Sequence, residues 1–96
     1  MSSEDYAKRL RALYSGRVQG VGFRYTVVEL ARKRAVTGYV KNVWNGDVEL
    51  VVEGSEQEML KLLNDIRDCR LGRYVTGERL AWDNALNEFD GFEVRY

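Results

Sequence analysis

The chain has 96 residues, of which 45% are hydrophobic and 31% charged, and this composition is typical of one small globular domain. It contains no apolar run of about 18 residues that could cross a membrane, and its start lacks the apolar segment of a secretory signal. With no histidine and a single cysteine, Cys69, the sequence excludes an internal disulfide, a structural zinc site and a histidine-dependent triad. We therefore expect a cytoplasmic protein in which Cys69 is a buried or half-buried structural thiol.

The two halves of the chain carry opposite net charge. Residues 1–45 sum to +6 and residues 46–96 to −6. A basic half suggests an anionic ligand, but a solvated surface whose halves attract each other has the same distribution, and charge alone leaves both interpretations open. The basic run 32–34 is expected to be a solvated helix end, with the stem of Arg34 over the edge of the core and its head in water.

The first half of the chain predicts a strand, a glycine-rich turn and a helix. Residues 1–6 are polar, and we expect a flexible tail ahead of a single domain over residues 7–96. Apolar and polar residues alternate over 9–15, which predicts a strand. The turn Gly16–Gly22 contains three glycines, and apolar residues at helical spacing then predict a helix over Phe23–Arg34.

A hairpin and a second helix are predicted next. Gly38–Trp44 and Asp47–Glu53 have the pattern of strands, and the Asn45-Gly46 pair between them predicts a tight turn in which both residues have positive φ. The segment Ser55–Glu58 has the sequence of a capping box. Apolar residues at i, i+3, i+4 and i+7 then predict a helix that fades near Cys69–Gly72.

The chain closes with two further strands. We expect a strand over Tyr74–Trp82, a polar loop over Asp83–Gly91, and a short extra strand from Phe92 to Tyr96. Trp44 and Trp82 are expected to pack on a face of the sheet. The order β-α-β-β-α-β with a last short strand predicts an α+β ferredoxin-like sandwich, an antiparallel sheet with two helices on one face.

The glycine-rich turn is the first candidate site. Glycines allow backbone N–H groups to converge on one point, and a helix that begins there adds free N–H groups and the positive end of its dipole. Arg24, in the first helical turn, adds a planar donor suited to phosphate oxygens. The alternative is a tight structural turn beside a surface arginine, and these residues alone leave the two interpretations balanced.

Asn42 is the second candidate, because asparagine is unfavourable in the middle of a strand. Its side-chain carbonyl accepts and its NH₂ donates hydrogen bonds, so it could hold a water molecule in line for attack. The alternative is an amide whose hydrogen bonds are satisfied within the structure.

Two segments carry a resemblance to a known family. Ser15–Arg24, which reads SGRVQGVGFR, and Gly38–Gly54, which begins GYVKNVWNGDV, resemble the two signatures of the acylphosphatase family, and Phe92–Tyr96 resembles its C-terminal strand. The chain departs from the family pattern at Ala35, where a glycine commonly closes the helix, and it has no proline after the second helix. A left-handed residue at Ala35 would cost about 1 kcal/mol relative to glycine, unless the helix end is built differently.

The resemblance implies a metal-independent enzyme without a cofactor that hydrolyses small acyl phosphates, with inorganic phosphate as product and inhibitor. By motif position, Arg24 grips the phosphate and Asn42 orients the attacking water. The backbone cradle that it implies consists of Gln19, Gly20, Val21, Gly22, Phe23 and Arg24. A carboxylate is a good leaving group, so positioning and charge stabilisation suffice for this reaction.

A non-catalytic module that binds anions or RNA on the same topology is the alternative. The aromatic strand motif with which RNA-recognition domains stack bases is missing, so we expect neither a nucleic-acid nor a membrane partner. Related domains also begin larger carbamoyl-transfer proteins, but a chain that ends at Tyr96 suggests an independent domain. We expect a monomer, the default for a domain with one short sheet.

Overall fold

The computed structural model describes residues 7–96, so the flexible tail predicted for residues 1–6 lies outside the described residues. One sheet contains all the strands, in the order β4-β1-β3-β2-β5. The elements are β1 (Ala7–Gly16), α1 (Phe23–Arg32), β2 (Val36–Asn42), β3 (Val48–Ser55), α2 (Glu56–Asp68), a 3₁₀ turn (Gly72–Tyr74), β4 (Val75–Asn84) and β5 (Phe92–Arg95).

Both helices pack on one face of this sheet. The core joins alternate residues of β1, β2 and β3 to the apolar stripes of α1 and α2, with Leu10, Leu50, Val27 and Leu62 among its buried members. This is the predicted ferredoxin-like sandwich, with one difference. β5 pairs with β2 in parallel, while the other neighbouring strands are antiparallel.

The start of α2 contains half of the predicted capping box. Ser55 Oγ accepts a hydrogen bond from the Glu58 N–H at 3.2 Å. The Glu58 carboxylate does not complete the box. It accepts from the backbone N–H of Ala35 at 3.0 Å instead, and this bond lowers the pKa of Glu58. The helix cap therefore also fixes the chain between α1 and β2.

The end of α1 differs from the sequence expectation. The helix stops at Arg32, and the N–H groups of Lys33 and Arg34 bond to carbonyls three residues back, at 3.2 and 3.0 Å. Asn87 is the one non-glycine residue of the described chain with positive φ, so Ala35 is not left-handed. The helix end is built differently, by a tightened last turn.

The basic run 32–34 is not simply solvated. Arg34 makes two bonds to the Asp65 carboxylate, at 2.8 and 3.0 Å, and this contact lowers the pKa of Asp65. Arg32 donates to the Phe92 carbonyl at 3.2 and 3.3 Å. The expectation of an Arg34 head in water was therefore wrong, because Asp65 of α2 binds its guanidinium.

The β2–β3 turn also differs from its prediction. Gly46 has positive φ (99°) and Asn45 does not. The Val43 N–H bonds to the Asp47 carbonyl at 2.8 Å, and the Gly46 N–H to the Val43 carbonyl at 3.0 Å. The loop therefore has three residues with one left-handed glycine, a common alternative to the two-residue turn. The side chain of Trp44 at its tip is 97% exposed, so the predicted packing of Trp44 on the sheet was wrong.

The segment after β4, which was predicted to be a polar loop, is held to the sheet by hydrogen bonds and ring packing. β4 continues to Asn84, and the Glu53 carboxylate accepts from the N–H groups of Leu86 and Asn87, at 2.7 and 2.9 Å. The Phe89 ring packs edge-on against Tyr39, with ring centroids 5.8 Å apart.

Within the described chain, no helix is long and apolar enough to span a bilayer.

Basic residues of the first half of the chain form ion pairs with acidic residues of the second half. Arg11 pairs with Glu49 at 2.6 Å, Arg9 with Glu88 at 2.8 Å, and Lys8 with an α2 carboxylate at 3.5 Å. These basic residues of the first half therefore have carboxylate partners within the fold. The arginines of the glycine-rich turn, in contrast, form no ion pair within residues 7–96.

Candidate active site

The turn between β1 and α1 is anchored at both ends. Val18 and Phe23 are each 1% exposed and belong to the core. Gly16 has a φ of 119°, and a Cβ at this position would collide with the Tyr74 carbonyl oxygen. The next N–H, of Arg17, donates to that oxygen at 3.0 Å. Gly16 is therefore required by close packing.

Gly20 and Gly22 have a different role in the turn. Their φ angles are 76° and 84°, yet a Cβ at either position would meet no heavy atom within 4 Å. These glycines are required by conformation alone, and the space before them is open. A ligand can approach the backbone closely at these points.

The backbone N–H groups of residues 18 to 25 form no hydrogen bond within the described chain. The first bonded amide is that of Thr26, whose N–H and Oγ1 both donate to the Gly22 carbonyl, at 3.1 and 3.0 Å. The first turn of α1 contains no acidic residue. A run of free amides at the positive end of a helix is the arrangement with which proteins bind phosphate.

A cleft of about 250 Å³ lies over these amides. It is lined by Val18, Gly20, Gly22, Phe23, Arg24 and Tyr25. The Arg24 guanidinium carbon lies 5.2 Å from the centroid of the Tyr96 ring, and the hydroxyls of Tyr96 and Tyr25 are 3.3 Å apart. That hydrogen bond raises the pKa of Tyr96. The two tyrosines therefore border a partly exposed guanidinium that has no carboxylate partner among residues 7–96.

Asn42 is the last residue of β2. Its side chain points to the helix side of the sheet, because Val40, two residues earlier, is buried in the core. The parallel register pairs Lys41 with Arg95, and its continuation places Tyr96 beside Asn42. Asn42 Oδ1 is buried and has no hydrogen-bond partner within the described residues. The carbonyl oxygen of this amide is therefore not satisfied by any residue that the structure describes.

The Gln19 side chain connects the turn to the hairpin that follows Asn42. Its Nε2 donates to the carbonyls of Val43 at 2.7 Å and Asp47 at 2.8 Å. These carbonyls lie one residue beyond the register pair Asn42 and Val48. The contact holds the glycine-rich turn against the end of β2, where Asn42 lies.

Comparison with known proteins agrees with these features. The chain matches the family model described as Acylphosphatase over residues 10–94. The chain belongs to the acylphosphatase family.

The match to its relatives extends over most of their length. It is 52% identical over 84 residues to an acylphosphatase of Bacillus pumilus, covering 88% of this chain and 93% of the relative. It is 49% identical over 89 residues to an acylphosphatase of Geobacillus kaustophilus, covering 93% and 95%. The crystal structure of acylphosphatase from Bacillus subtilis superposes with a TM-score of 0.85 at 34% identity, covering 93% of this chain and 99% of that chain.

For this member of the acylphosphatase family, the structure brings together most of the residues singled out in the sequence. Gly20, Gly22, Phe23 and Arg24 line one cleft, whereas the other predicted site residues, Gln19, Val21 and Asn42, are not among its lining residues. Gln19 binds the carbonyl of Val43, the residue after Asn42. Sequence reasoning missed the side-chain role of Gln19 and the contacts of Tyr25 and Tyr96, which no local pattern indicates. Residues 7–96 contain no cluster of three or more His, Cys, Asp or Glu suited to a metal ion.

Proposed function

We propose that this chain hydrolyses the carboxyl–phosphate bond of small acyl phosphates to a carboxylate and inorganic phosphate. The observation that supports this most directly is the run of free backbone N–H groups from residue 18 to residue 25, beside the Arg24 guanidinium. Such donors would bind the phosphate oxygens and stabilise the charge that redistributes among them in the transition state.

Arg24 and the amides of Gln19, Gly20, Val21, Gly22 and Phe23 would hold the phosphate. A water oxygen attacks phosphorus, the bond from phosphorus to the acyl oxygen breaks, and that oxygen leaves as a carboxylate with its electron pair. The water proton goes to solvent or to a phosphate oxygen. Because a carboxylate leaves without protonation, the reaction requires no general acid, in agreement with a site that contains no histidine.

Asn42 would position the attacking water. Its side-chain amide can both accept and donate a hydrogen bond, and its Oδ1 has no partner within residues 7–96. The Gln19 side chain binds the carbonyl of Val43, the residue after Asn42, which supports a position of this amide near the proposed phosphate-binding turn. A fixed water removes much of the entropic cost of attack.

The proposed reaction requires one chain only and no metal, because the donors that it needs are backbone amides, a guanidinium and an amide side chain. The partners are the acyl phosphate and its phosphate product, with no nucleic acid or membrane. The single half-buried thiol, Cys69, is consistent with action in the cytoplasm.

The test is hydrolysis of benzoyl phosphate in the presence of EDTA. We expect turnover that EDTA does not change and that inorganic phosphate inhibits competitively. A phosphate monoester of an alcohol serves as the control and should not be hydrolysed, because its leaving group needs an acid. Phosphate binding without turnover of benzoyl phosphate would indicate the non-catalytic anion-binding module instead.

A further inference from the structure

The tip of the β2–β3 turn contains the one Asn-Gly pair of the chain, Asn45-Gly46. The backbone nitrogen that follows an asparagine can attack the side-chain amide, and glycine leaves this nitrogen unshielded because it has no Cβ. Both residues are exposed, and a Cβ at Gly46 would meet no heavy atom within 4 Å. Solvent therefore reaches this peptide freely.

The Asn45 side chain is held over the peptide with which it would react. Its Oδ1 accepts a hydrogen bond from the Asp47 N–H at 3.0 Å, a contact that asparagine side chains commonly make two residues on. The ring that this bond closes contains the Gly46 nitrogen, so Cγ of Asn45 lies beside that nitrogen. The side-chain Nδ2 donates to the Asp47 carboxylate at 3.4 Å, and one residue therefore fixes both ends of the amide.

One backbone bond opposes the attack. The Gly46 N–H donates to the Val43 carbonyl at 3.0 Å, and the nitrogen must lose this bond before it can react. The same carbonyl also accepts from Gln19 Nε2 at 2.7 Å. Opening of the Gly46 bond therefore leaves the Val43 carbonyl with a donor, which keeps the free-energy cost of the opening low.

The reaction requires water as its only co-reactant. The Gly46 nitrogen loses its proton to solvent and bonds to Cγ of Asn45, the bond from Cγ to Nδ2 breaks, and Nδ2 leaves with the electron pair and gains a proton as ammonia. Water then adds to one carbonyl of the cyclic imide that remains, and the bond from that carbonyl to the nitrogen breaks. Opening at Cγ gives aspartate. Opening at the main-chain carbonyl gives isoaspartate, in which the main chain runs through Cγ.

Either product disturbs the turn. A carboxylate at position 45 would replace the amide that now donates to Asp47, and like charges at this separation repel each other. Arg79 lies 3.7 Å from the Asp47 carboxylate, but its side chain is 72% exposed, so solvent screens its attraction. Isoaspartate also lengthens the main chain between Val43 and Asp47, whose carbonyls Gln19 binds at 2.7 and 2.8 Å. The contact with the glycine-rich turn would therefore loosen.

We propose that Asn45 is a site of spontaneous deamidation, and that its conversion to aspartate or isoaspartate weakens anion binding at the glycine-rich turn. The modification itself is independent of the proposed function, whereas its effect on phosphate rests on that function. The other four asparagines precede residues with side chains, Val43, Asp65, Ala85 and Glu88, so we expect them to remain amides.

The first test is peptide mapping of the full chain by mass spectrometry after several weeks at mildly alkaline pH. Asn45 should become an acid, partly as isoaspartate, while Asn64 and Asn84 remain amides. Gly46→Ala places a Cβ beside the attacking nitrogen and should slow the conversion several-fold, and circular dichroism confirms that this variant is folded. An intact amide at position 45, or equally fast loss of Asn64 or Asn84, would overturn the proposed site.

The second test is the affinity for inorganic phosphate, measured by isothermal titration calorimetry on the fresh and the aged chain. The aged chain should bind phosphate several-fold more weakly. Asn45→Asp adds the charge without lengthening the main chain and should show part of this loss. Asn45→Ser keeps an acceptor for the Asp47 N–H and should bind phosphate like the fresh chain, before and after ageing.

The outcomes separate the modification from the function. Equal phosphate affinity of the fresh and the deamidated chain would overturn the proposed effect on anion binding. A fresh chain that binds no phosphate would overturn both the proposed function and this effect, and the conversion of Asn45 would still be decided by the peptide map.

Discussion

The side-chain nitrogen of Gln19 lies 2.7 Å from the carbonyl oxygen of Val43, and the same nitrogen lies 2.8 Å from the carbonyl oxygen of Asp47. One amide thus binds both ends of the β2–β3 turn. Because Gln19 belongs to the glycine-rich turn and Val43 follows Asn42, this contact links the two proposed halves of the site.

Removal of this contact should impair activity and stability together. Each of the two carbonyls also accepts from a backbone N–H of the β2–β3 turn, so Gln19→Ala removes one of two donors from each. We therefore expect a loss of about 1 kcal/mol in the free energy of unfolding. The turn and Asn42 would then move relative to each other, and kcat should fall more than phosphate affinity. Urea unfolding and benzoyl phosphate kinetics measure the two effects. Gln57→Ala, at an exposed position of α2, is the control, and a Gln19→Ala enzyme equal to it would contradict the proposed role of the side chain.

Arg24 should be required for both phosphate binding and turnover. Arg24→Ala removes a charged donor from the cleft, and we expect kcat/KM to fall by about 10²–10³ or more, with a parallel loss of inhibition by phosphate. Arg24→Lys keeps the charge without the planar donor geometry and should retain an intermediate part of both.

The control for charge is Arg70→Ala, which is exposed and distant in the chain from the cleft. It should leave the kinetic constants unchanged. If Arg24→Ala retained the phosphate inhibition constant of the unsubstituted chain, the assignment of Arg24 as the phosphate-binding arginine would be wrong.

Substitution of Asn42 should lower activity without lowering stability. Asn42→Ala removes a water-positioning acceptor, so kcat should fall by about 10² or more while phosphate inhibition is retained. The same change removes a buried acceptor with no partner within the described chain, so the free energy of unfolding should stay equal or rise by about 1 kcal/mol. Asn84→Ala, at the exposed end of β4, is the control. A variant that loses stability and keeps kcat would show that Asn42 is structural.

The candidate anion-binding turn could be proposed from the sequence because its signals are local. Glycines, the start of a helical pattern and Arg24 occur within one short segment, and each has a direct physical meaning. The order of the strands and helices was equally predictable, since strand alternation and helical spacing depend only on near neighbours in the sequence. Asn42 was found because an amide within a strand contradicts the strand's usual composition.

The errors in the hairpin arose where the geometry of the turn differs from the residue pattern, and the missed contacts join distant segments. Asn45-Gly46 favours two left-handed residues, but the bond between Val43 and Asp47 closes a longer loop that needs only one. Trp44 continues the alternation of β2, yet the strand ends at Asn42 and the turn redirects the next side chains. The contacts of Gln19 and Tyr96 join segments distant in sequence, and nothing in either segment specifies the other.

Two glycines of the same turn should respond differently to substitution. Gly16→Ala places a Cβ against the Tyr74 carbonyl. We expect the free energy of unfolding to fall by about 3 kcal/mol or more. Gly20→Ala meets no atom within 4 Å, so only its left-handed conformation costs energy, about 1 kcal/mol. Its methyl group would instead project into the open space that we propose for phosphate. Phosphate inhibition should therefore weaken strongly in Gly20→Ala with a much smaller loss of stability than in Gly16→Ala, and equal effects of the two substitutions on stability would contradict this division of roles.

Acid should destabilise the chain partly through Asp65. Arg34 holds the pKa of this carboxyl below its usual value in the folded chain, so on acidification the unfolded chain binds a proton first. The stabilisation from Asp65 is therefore complete above its unfolded pKa of about 3.9 and is lost as the pH falls through the lower folded value. Asp65→Asn should be less stable than the unsubstituted chain at neutral pH, and the difference should shrink as the pH falls below about 4. Urea unfolding from neutral to acidic pH measures it, with Asp68→Asn, an exposed change one helical turn further along α2, as the control. A difference that stayed constant down to the acid limit would show that Asp65 acts through packing and not through its charge.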